Sequence, residues 1–135
     1  MRFFIEISYH GKNYHGWQIQ ENASTIQEEI DNAISLLLKK KIKTMGSGRT
    51  DTGVHAINQV AHFDYEKPID NSFLYRINSF LSTDISVNSI KQVKENISAR
   101  FDAISREYIY KIHCIKSPFL NDRSLFYPKK INVRL

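Results

Sequence analysis

The sequence has little of what disulfide frameworks, metal centres and membrane proteins are built from. Its one cysteine, Cys114, can form neither an internal disulfide nor a thiolate metal site by itself. No apolar run approaches the roughly 20 residues that a membrane-spanning helix needs. Glu6 interrupts the apolar N-terminus before it reaches the length of a signal peptide. We therefore expect a reduced, soluble, cytoplasmic protein.

The composition is that of a folded domain with an uneven distribution of charge. Of its 135 residues, 41% are hydrophobic, and eight Phe and seven Tyr can fill a core. Residues 1–90 carry nine Lys and Arg against ten Asp and Glu, whereas residues 91–135 carry ten against four. This asymmetry favours a polyanionic partner contacted mainly by the later segment. A solvated basic face explains the charge equally well.

Hydrophobic periodicity predicts five strands and two helices in this chain. The predicted helix N-caps are Ser24, with Gln27 in capping-box position, and Asn71. The alternation of the fourth strand shifts phase near Ser89, which indicates a bulge. The predicted strands are Arg2–Tyr9, Lys43–Met45, Ile57–Phe63, Ile85–Val93 and Ser105–Cys114.

The order of these elements is β-α-β-β-α-β with one additional strand. This order predicts an α+β, ferredoxin-like sandwich in which two helices cover one face of a mainly antiparallel sheet. We assign this domain to residues 1–127. Residues 128–135 begin another element, so we expect a truncated piece of a longer protein, without its second domain.

The segment Gly46–His55 is the densest cluster of reactive side chains. Its glycines let the backbone approach a ligand closely. Arg49 and Asp51 are two residues apart, so an extended backbone would place both side chains on one side. A guanidinium beside a carboxylate favours the ionised form that a nucleophile needs, and it also binds phosphate. The alternative interpretation is a surface turn with a weak ion pair.

This segment matches none of the more common catalytic motifs. It lacks the third glycine of a dinucleotide fingerprint and the Gly-Lys-Ser/Thr of a phosphate-binding loop. It also lacks the Gly-x-Ser-x-Gly of a nucleophile elbow. No metal site is predicted, because the histidines do not have the spacing of metal ligands. These histidines are His10, His15, His55, His62 and His113.

Two aromatic clusters lie before and after this segment. Tyr9–Gln20 combines aromatic rings, amides and glycine, a composition suited to stacking on RNA. The alternative role for Trp17 is to plug the edge of the domain. In the second cluster, alternation places Tyr108 on a sheet face beside Arg106, and we expect Tyr110 to pack in the core.

Together these segments resemble the tRNA pseudouridine synthase A family. The central family motif, Gly-Arg-Thr-Asp-x-Gly-Val-His, is highly specific and stands here at Gly48–His55. The other motifs match with the expected spacing as far as about Tyr127. They stand at Tyr9–Gly11, Gly16–Gln20, Ala99–Phe101 and Arg106–Tyr108.

The chain departs from the family pattern at two positions and in length. His10 replaces the usual Asp, which changes how the first loop is held, while Thr52 fills a variable position. Glu107 stands where a basic residue is common before Tyr108, which weakens the expectation of RNA contact there. Family members carry a second domain that completes the cleft, and they form homodimers.

The resemblance implies that uridine in tRNA is isomerised to pseudouridine without a cofactor or a metal. Asp51 is then the nucleophile, and attack on the sugar, attack on C6 of the base and removal of the C2′ proton all remain open. Arg49 holds Asp51 ionised, and Tyr108 stacks on the flipped uracil. Further substrate contacts are implied for Arg106, Trp17, Gln18 and His55.

The same resemblance implies a substrate, the anticodon stem-loop of tRNA at positions 38–40, and a homodimeric complete enzyme. The isolated chain is expected to be inactive, because one domain supplies only one wall of the cleft. A noncatalytic RNA-binding module with the topology of the RNA-recognition motif is the competing interpretation. The aromatic signature that such a module carries on its third strand is absent from Ile57–Phe63. A purely structural domain, the third interpretation, predicts no affinity for RNA.

Overall fold

A computed structural model describes residues 1–133 of the chain. It contains two compact units, Met1–Ile104 and the segment from Ser105 onward, and each is described by itself. Its two helices have 13 and 8 residues. Within the described residues, neither helix therefore has the length and apolar character needed to cross a membrane.

The first unit contains four strands, two α-helices and one 3-10 turn at Gly11–Asn13. In chain order the strands and α-helices are β1 (Arg2–Tyr9), α1 (Ile26–Leu38), β2 (Met45–Gly46), β3 (Ala56–Asp64), α2 (Phe73–Phe80) and β4 (Ile85–Val93). The strands form one antiparallel sheet in the order β2-β3-β1-β4, so the first strand lies between the third and the fourth. The predicted ferredoxin-like α+β fold is confirmed.

The two faces of strand β1 lie in different environments, one in the core and one on the opposite face of the sheet. Phe3, Ile5, Ile7 and Tyr9 are buried in one hydrophobic cluster with residues of both helices, and the intervening side chains line the opposite face. The ring of Phe3 stacks on that of Phe63 in β3, with centroids 5.6 Å apart. Full burial of such a side chain contributes about 1.5–3 kcal/mol, so this face holds the helices on the sheet.

The N-cap of helix α1 lies one residue after the predicted cap at Ser24. Thr25 is the N-cap, and its hydroxyl accepts a hydrogen bond from the N–H of Glu28. The carbonyl groups of Gly16 and Trp17 accept hydrogen bonds from the first two N–H groups of the helix. These bonds fix the start of α1 against a loop that precedes it, a tertiary contact that the local capping pattern does not encode.

Side-chain hydrogen bonds also lie at two further boundaries that differ from the prediction, those of α2 and β2. Ser72, not Asn71, is the N-cap of α2, and Asp70 accepts hydrogen bonds from the N–H and the hydroxyl of Ser72. Strand β2 occupies Met45–Gly46 instead of the predicted Lys43–Met45. Thr44, the residue just before β2, bonds to side chains of α1 and not to a neighbouring strand.

Strand β4 contains the bulge that the phase shift near Ser89 predicts. Glu6 of β1 lies opposite Ser89, but the next residue, Ile7, lies opposite Val87, so Asn88 is the extra residue. The bulge keeps apolar side chains on the core face on both sides of the shift. The sequence pattern therefore located this irregularity correctly.

The second unit contains one short parallel pair of strands, β5 (Ile112–His113) and β6 (Leu125–Phe126). The strand predicted over Ser105–Cys114 is therefore wrong except at Ile112–His113. Alternation indicates a period of two but not a partner, and a strand forms only where a neighbour supplies hydrogen bonds. The prediction that Tyr110 packs in the core is also wrong, since its side chain is 89% exposed.

Candidate active site around Asp51

The segment Gly46–His55 runs from β2 into β3 and is anchored at its start. The N–H of Ser47 donates to the carbonyl of Val60 at 2.7 Å. The side-chain amide of Gln59 donates to the carbonyl of Gly48 at 2.8 Å. Both partners lie on β3, so the loop leaves the edge of the sheet in a fixed direction.

The backbone on either side of Asp51 is held by separate contacts. Before it, the N–H of Trp17 donates to the carbonyl of Thr50 at 3.1 Å. After it, the N–H of Val54 donates to the carbonyl of Asp51 at 3.2 Å. This bond closes a turn in which Gly53 has a φ of +80°, as the third residue of a type II turn requires.

The first loop, residues 10–20, packs directly against this segment. Gly16 has a φ of +80°, and a Cβ there would lie 2.3 Å from the carbonyl oxygen of Thr50. The hydroxyls of Tyr9 and Thr50 share a hydrogen bond of 2.8 Å. The N–H of Gly53 donates to the carbonyl of Tyr14 at 3.3 Å. The two loops are therefore interlocked, with Thr50 at the centre of the contact.

The side chain of Asp51, in contrast, is exposed. It accepts no hydrogen bond from any of residues 1–133. Arg49 is exposed as well, and the ion pair expected between Arg49 and Asp51 does not form in this part of the chain. The loop thus presents a carboxylate to solvent from a backbone that is fixed on both sides.

His55 joins the end of this loop to the first loop. Its Nδ1 accepts a hydrogen bond of 2.9 Å from the N–H of Gly11, which places the proton of the neutral ring on Nε2. The ring of His10 packs on it, with centroids 4.1 Å apart. The rings of His10 and His55 therefore form part of the contact between the two loops.

Trp17 and Gln18 are neighbours in the sequence but differ in burial. Trp17 is 1% exposed, which agrees with its alternative role of plugging the edge of the domain, and its contact with substrate stays a prediction. Its ring lies 6.3 Å from that of Tyr9, beneath the loop. Gln18 is partly exposed and lies one residue further along the first loop.

The motif at Ala99–Phe101 is tied to the second face of the sheet. The N–H of Ala99 donates to Nδ1 of His62 at 3.0 Å, and Arg2 donates to the carbonyl of Ile97 at 2.9 Å. Burial lowers the pKa of His62, the positive charge of Arg2 lowers it further, and Asp64 acts in the opposite direction. His62 is thus held as the neutral acceptor that this contact needs.

Arg106 and Tyr108 belong to the second unit. Both side chains are exposed, Tyr108 by 63%. Their proposed contacts with substrate remain predictions. The aromatic face of Tyr108 is therefore accessible to a ligand.

The buried hydrogen bonds among Gln27, Asp31 and Thr44 were missed by sequence reasoning, which gave Gln27 only a capping-box role. Asp31 accepts hydrogen bonds from the N–H and the hydroxyl of Thr44, at 2.9 and 2.7 Å. Burial raises the pKa of Asp31 to about 6, although its bonds from Thr44 and the charge of Lys43 act in the opposite direction. The available signal was the position of Gln27 and Asp31 beside the apolar stripe of a predicted helix, where polar residues need partners.

The sequence of the first unit matches a known protein family. Residues 6–102 match the family model of tRNA pseudouridine synthase, which places nearly all of the first unit within it. The chain therefore belongs to the tRNA pseudouridine synthase family. It is similar to tRNA pseudouridine synthase A of Azobacteroides pseudotrichonymphae, with 45% identity over 99% of this chain and 54% of that protein. The proteins of the same name from Bacteroides thetaiotaomicron and Buchnera aphidicola are 47% and 44% identical over 87% and 98% of this chain, and 44% and 51% of their own lengths.

The chain spans about half the length of the curated relatives that it matches. The family motifs at Gly11, Trp17, Asp51 and Arg100 all lie within the matched residues. The match to the family model ends before Arg106 and Tyr108, whereas the relatives that align with 98–99% of the chain cover both residues. Family membership thus rests on the first unit, which carries the loop.

Proposed function

We propose that the full-length protein isomerises uridine to pseudouridine in tRNA, with Asp51 as the nucleophile. The observation that carries this proposal is the geometry of Asp51, whose side chain is exposed while its backbone is held by hydrogen bonds at Thr50 and at Val54. A nucleophile must be accessible to substrate and fixed in direction, because misplacement of the reacting group lowers the rate. Family membership supplies the chemistry for which this carboxylate is suited.

The reaction needs no net addition of atoms. The bond between N1 of uracil and C1′ of ribose breaks, the base turns, and C5 bonds to C1′. The hydrogen on C5 is lost to solvent and N1 gains one, so the product is an isomer of the substrate. Asp51 can attack C1′, attack C6 or remove the C2′ proton, and in each case a carboxylate must reach a flipped nucleotide.

The remaining proposed substrate contacts are side chains that are exposed or, for Gln18, partly exposed. Arg49 and His55 lie two and four residues from Asp51 in the same loop, and Gln18 lies on the adjacent first loop. Arg106 offers a guanidinium for phosphate, and Tyr108 offers a ring on which the flipped uracil stacks. The basic segment after residue 90 contributes further phosphate contacts.

We extend the proposal to substrate and assembly by the resemblance. The substrate is the anticodon stem-loop of tRNA, at positions 38–40, and the active form is a homodimer. The ferredoxin-like domain is assigned to residues 1–127, and a second domain completes the cleft. This chain alone is therefore expected to bind tRNA weakly and to have no measurable activity.

The test is to incubate the full-length protein with unmodified tRNA, digest the tRNA to nucleosides and separate pseudouridine from uridine by chromatography. We expect pseudouridine to form and sequencing to place it at positions 38–40. Product at other positions would contradict the assigned substrate. Binding of tRNA without any product would favour the noncatalytic RNA-binding module.

A further inference from the structure

Helix α1 carries two polar side chains on its buried face. Gln27 and Asp31 are one helical turn apart, so they lie on the same side of the helix. Both are 7% exposed, and their partner Thr44 is 5% exposed. Burial of polar groups is unfavourable unless each finds a hydrogen-bond partner. These three side chains must therefore bond to one another or to nearby backbone groups.

All three polar groups of Thr44 bond to these two side chains. Its N–H and hydroxyl donate to Asp31 at 2.9 and 2.7 Å, and its carbonyl accepts from the side-chain amide of Gln27 at 2.7 Å. Thr44 directly precedes β2, where the chain enters the loop that carries Asp51. Helix α1 therefore fixes the point at which this loop begins.

Gln27 also fixes the first loop. Its side-chain oxygen accepts a hydrogen bond of 3.1 Å from the N–H of Ile19, and its own N–H donates to the carbonyl of Trp17 at 3.0 Å. One glutamine thus connects the first loop on one side with Thr44 on the other. Its side-chain amide donates to one segment and accepts from the other.

Trp17 connects helix α1 to the loop that carries Asp51. Its N–H donates to the carbonyl of Thr50, the residue before Asp51, at 3.1 Å. Its indole lies against Gly46, where an added Cβ would be 2.5 Å from the indole nitrogen. The loop is therefore held at its start through Thr44 and near its middle through Trp17, and both contacts lead back to α1.

We propose that Gln27 and Asp31 are positioning residues for the nucleophile loop. They act through Thr44 and Trp17 and contact no substrate. This role rests on the proposed function of Asp51, and its structural part can be tested without any assay of activity. An apolar pair of the same size would fill the helix face but would not fix the register of two loops.

The structural test measures amide hydrogen exchange of the 135-residue chain by NMR. The reporters are the N–H groups of Trp17 and Ser47, normalised to amides of β1. Asp31→Ala and Gln27→Met are expected to accelerate exchange of both reporters at least about tenfold relative to β1, as loss of a buried hydrogen bond does. Asp31→Asn keeps an acceptor oxygen for Thr44 and should stay within about threefold of wild type.

Ile77→Val is the matched control for general loss of stability. Ile77 is fully buried on α2, and loss of one methyl group destabilises the core without touching the hydrogen bonds of α1. It should change the reporters and the β1 amides by the same factor. If Asp31→Ala and Gln27→Met also change them equally, or change neither, the positioning role is wrong.

The functional test uses steady-state kinetics of the full-length protein. Asp31→Ala should lower kcat at least about tenfold with KM within about twofold, because it misplaces the nucleophile and removes no contact with tRNA. Asp31→Asn should restore kcat. An increase in KM at constant kcat, or failure of Asn to restore the rate, would refute the positioning role. A wild-type protein that makes no pseudouridine would instead refute the proposed function, whatever the exchange data show.

Discussion

Two glycines near Asp51 provide a matched pair of substitutions. Gly16 and Gly53 both have a φ of +80°, so an alanine at either position strains the backbone by about 1–2 kcal/mol. At Gly16 the new Cβ would lie 2.3 Å from the carbonyl oxygen of Thr50, whereas at Gly53 no atom lies within 4 Å. The difference between Gly16→Ala and Gly53→Ala therefore isolates the contact between the first loop and Thr50.

The clash at Gly16 adds to the strain. Relief of the clash requires the Thr50 carbonyl to move by about 1 Å, an overpacking that costs about 1–3 kcal/mol. The same movement weakens the hydrogen bond from Trp17, which contributes about 1 kcal/mol. We expect Gly16→Ala to destabilise the chain by about 3–6 kcal/mol and Gly53→Ala by about 1–2 kcal/mol.

Urea denaturation of the 135-residue chain measures both free energies of unfolding. In the full-length protein, Gly16→Ala should also lower kcat more than Gly53→Ala, because only the former displaces the residue next to Asp51. Equal losses of stability in the two variants would refute the interlock of the first loop with Thr50.

The remaining predictions concern pH, substrate contact and the isolated chain. The pKa of Asp31 is about 6 in the folded chain against 3.8 ordinarily, so its contribution to stability falls as pH rises from about 4 to 6. Asp31→Asn should remove this slope in urea denaturation. The lowered pKa of His62 has the opposite effect, since the unfolded chain binds the proton more readily and stability falls as pH drops below about 6.5. His62→Asn keeps an acceptor but does not titrate, so it should reduce the loss of stability below about pH 6.5 in the same urea denaturation series. In the full-length protein, Tyr108→Phe should reduce activity less than Tyr108→Ala, because stacking on a base is worth about 1–3 kcal/mol, and equal losses would assign the role to the hydroxyl. The isolated chain should bind tRNA in gel shifts at low salt, with log K falling against log salt by about 0.7–0.9 per phosphate contact, and a salt-independent affinity would contradict this.

The sequence predicted elements whose stability is local or follows from a simple period. Alternation in Arg2–Tyr9 gave both the strand and its buried face, and a change of phase near Ser89 located a bulge. The order of elements was sufficient for the ferredoxin-like topology because few arrangements satisfy it. The Gly-rich segment around Asp51 could also be identified as a candidate site from the sequence, since its residue types are uncommon together.

The sequence did not predict features that depend on contacts between distant segments. The N-cap of α1 is Thr25 and not the predicted Ser24, because carbonyl groups of the first loop bond to the helix. Trp17 proved to be buried, since composition alone cannot distinguish a ring that stacks on RNA from one beneath a loop. Asp31 bonds to a residue 13 positions away, a pairing that no local pattern encodes.

The central claim, that Asp51 is the nucleophile, is tested most directly by release of tritium from tRNA that carries [5-³H]uridine. Formation of the bond between C5 and C1′ releases the C5 hydrogen to water, so the assay reports the reaction itself. The full-length wild-type protein and Glu21→Gln, which removes an exposed carboxylate outside the loop, should release tritium at similar rates. Asp51→Asn should release none while binding tRNA within about tenfold of wild type, because it removes the nucleophile but little contact area. Release by Asp51→Asn at a rate near wild type would contradict the assignment of Asp51.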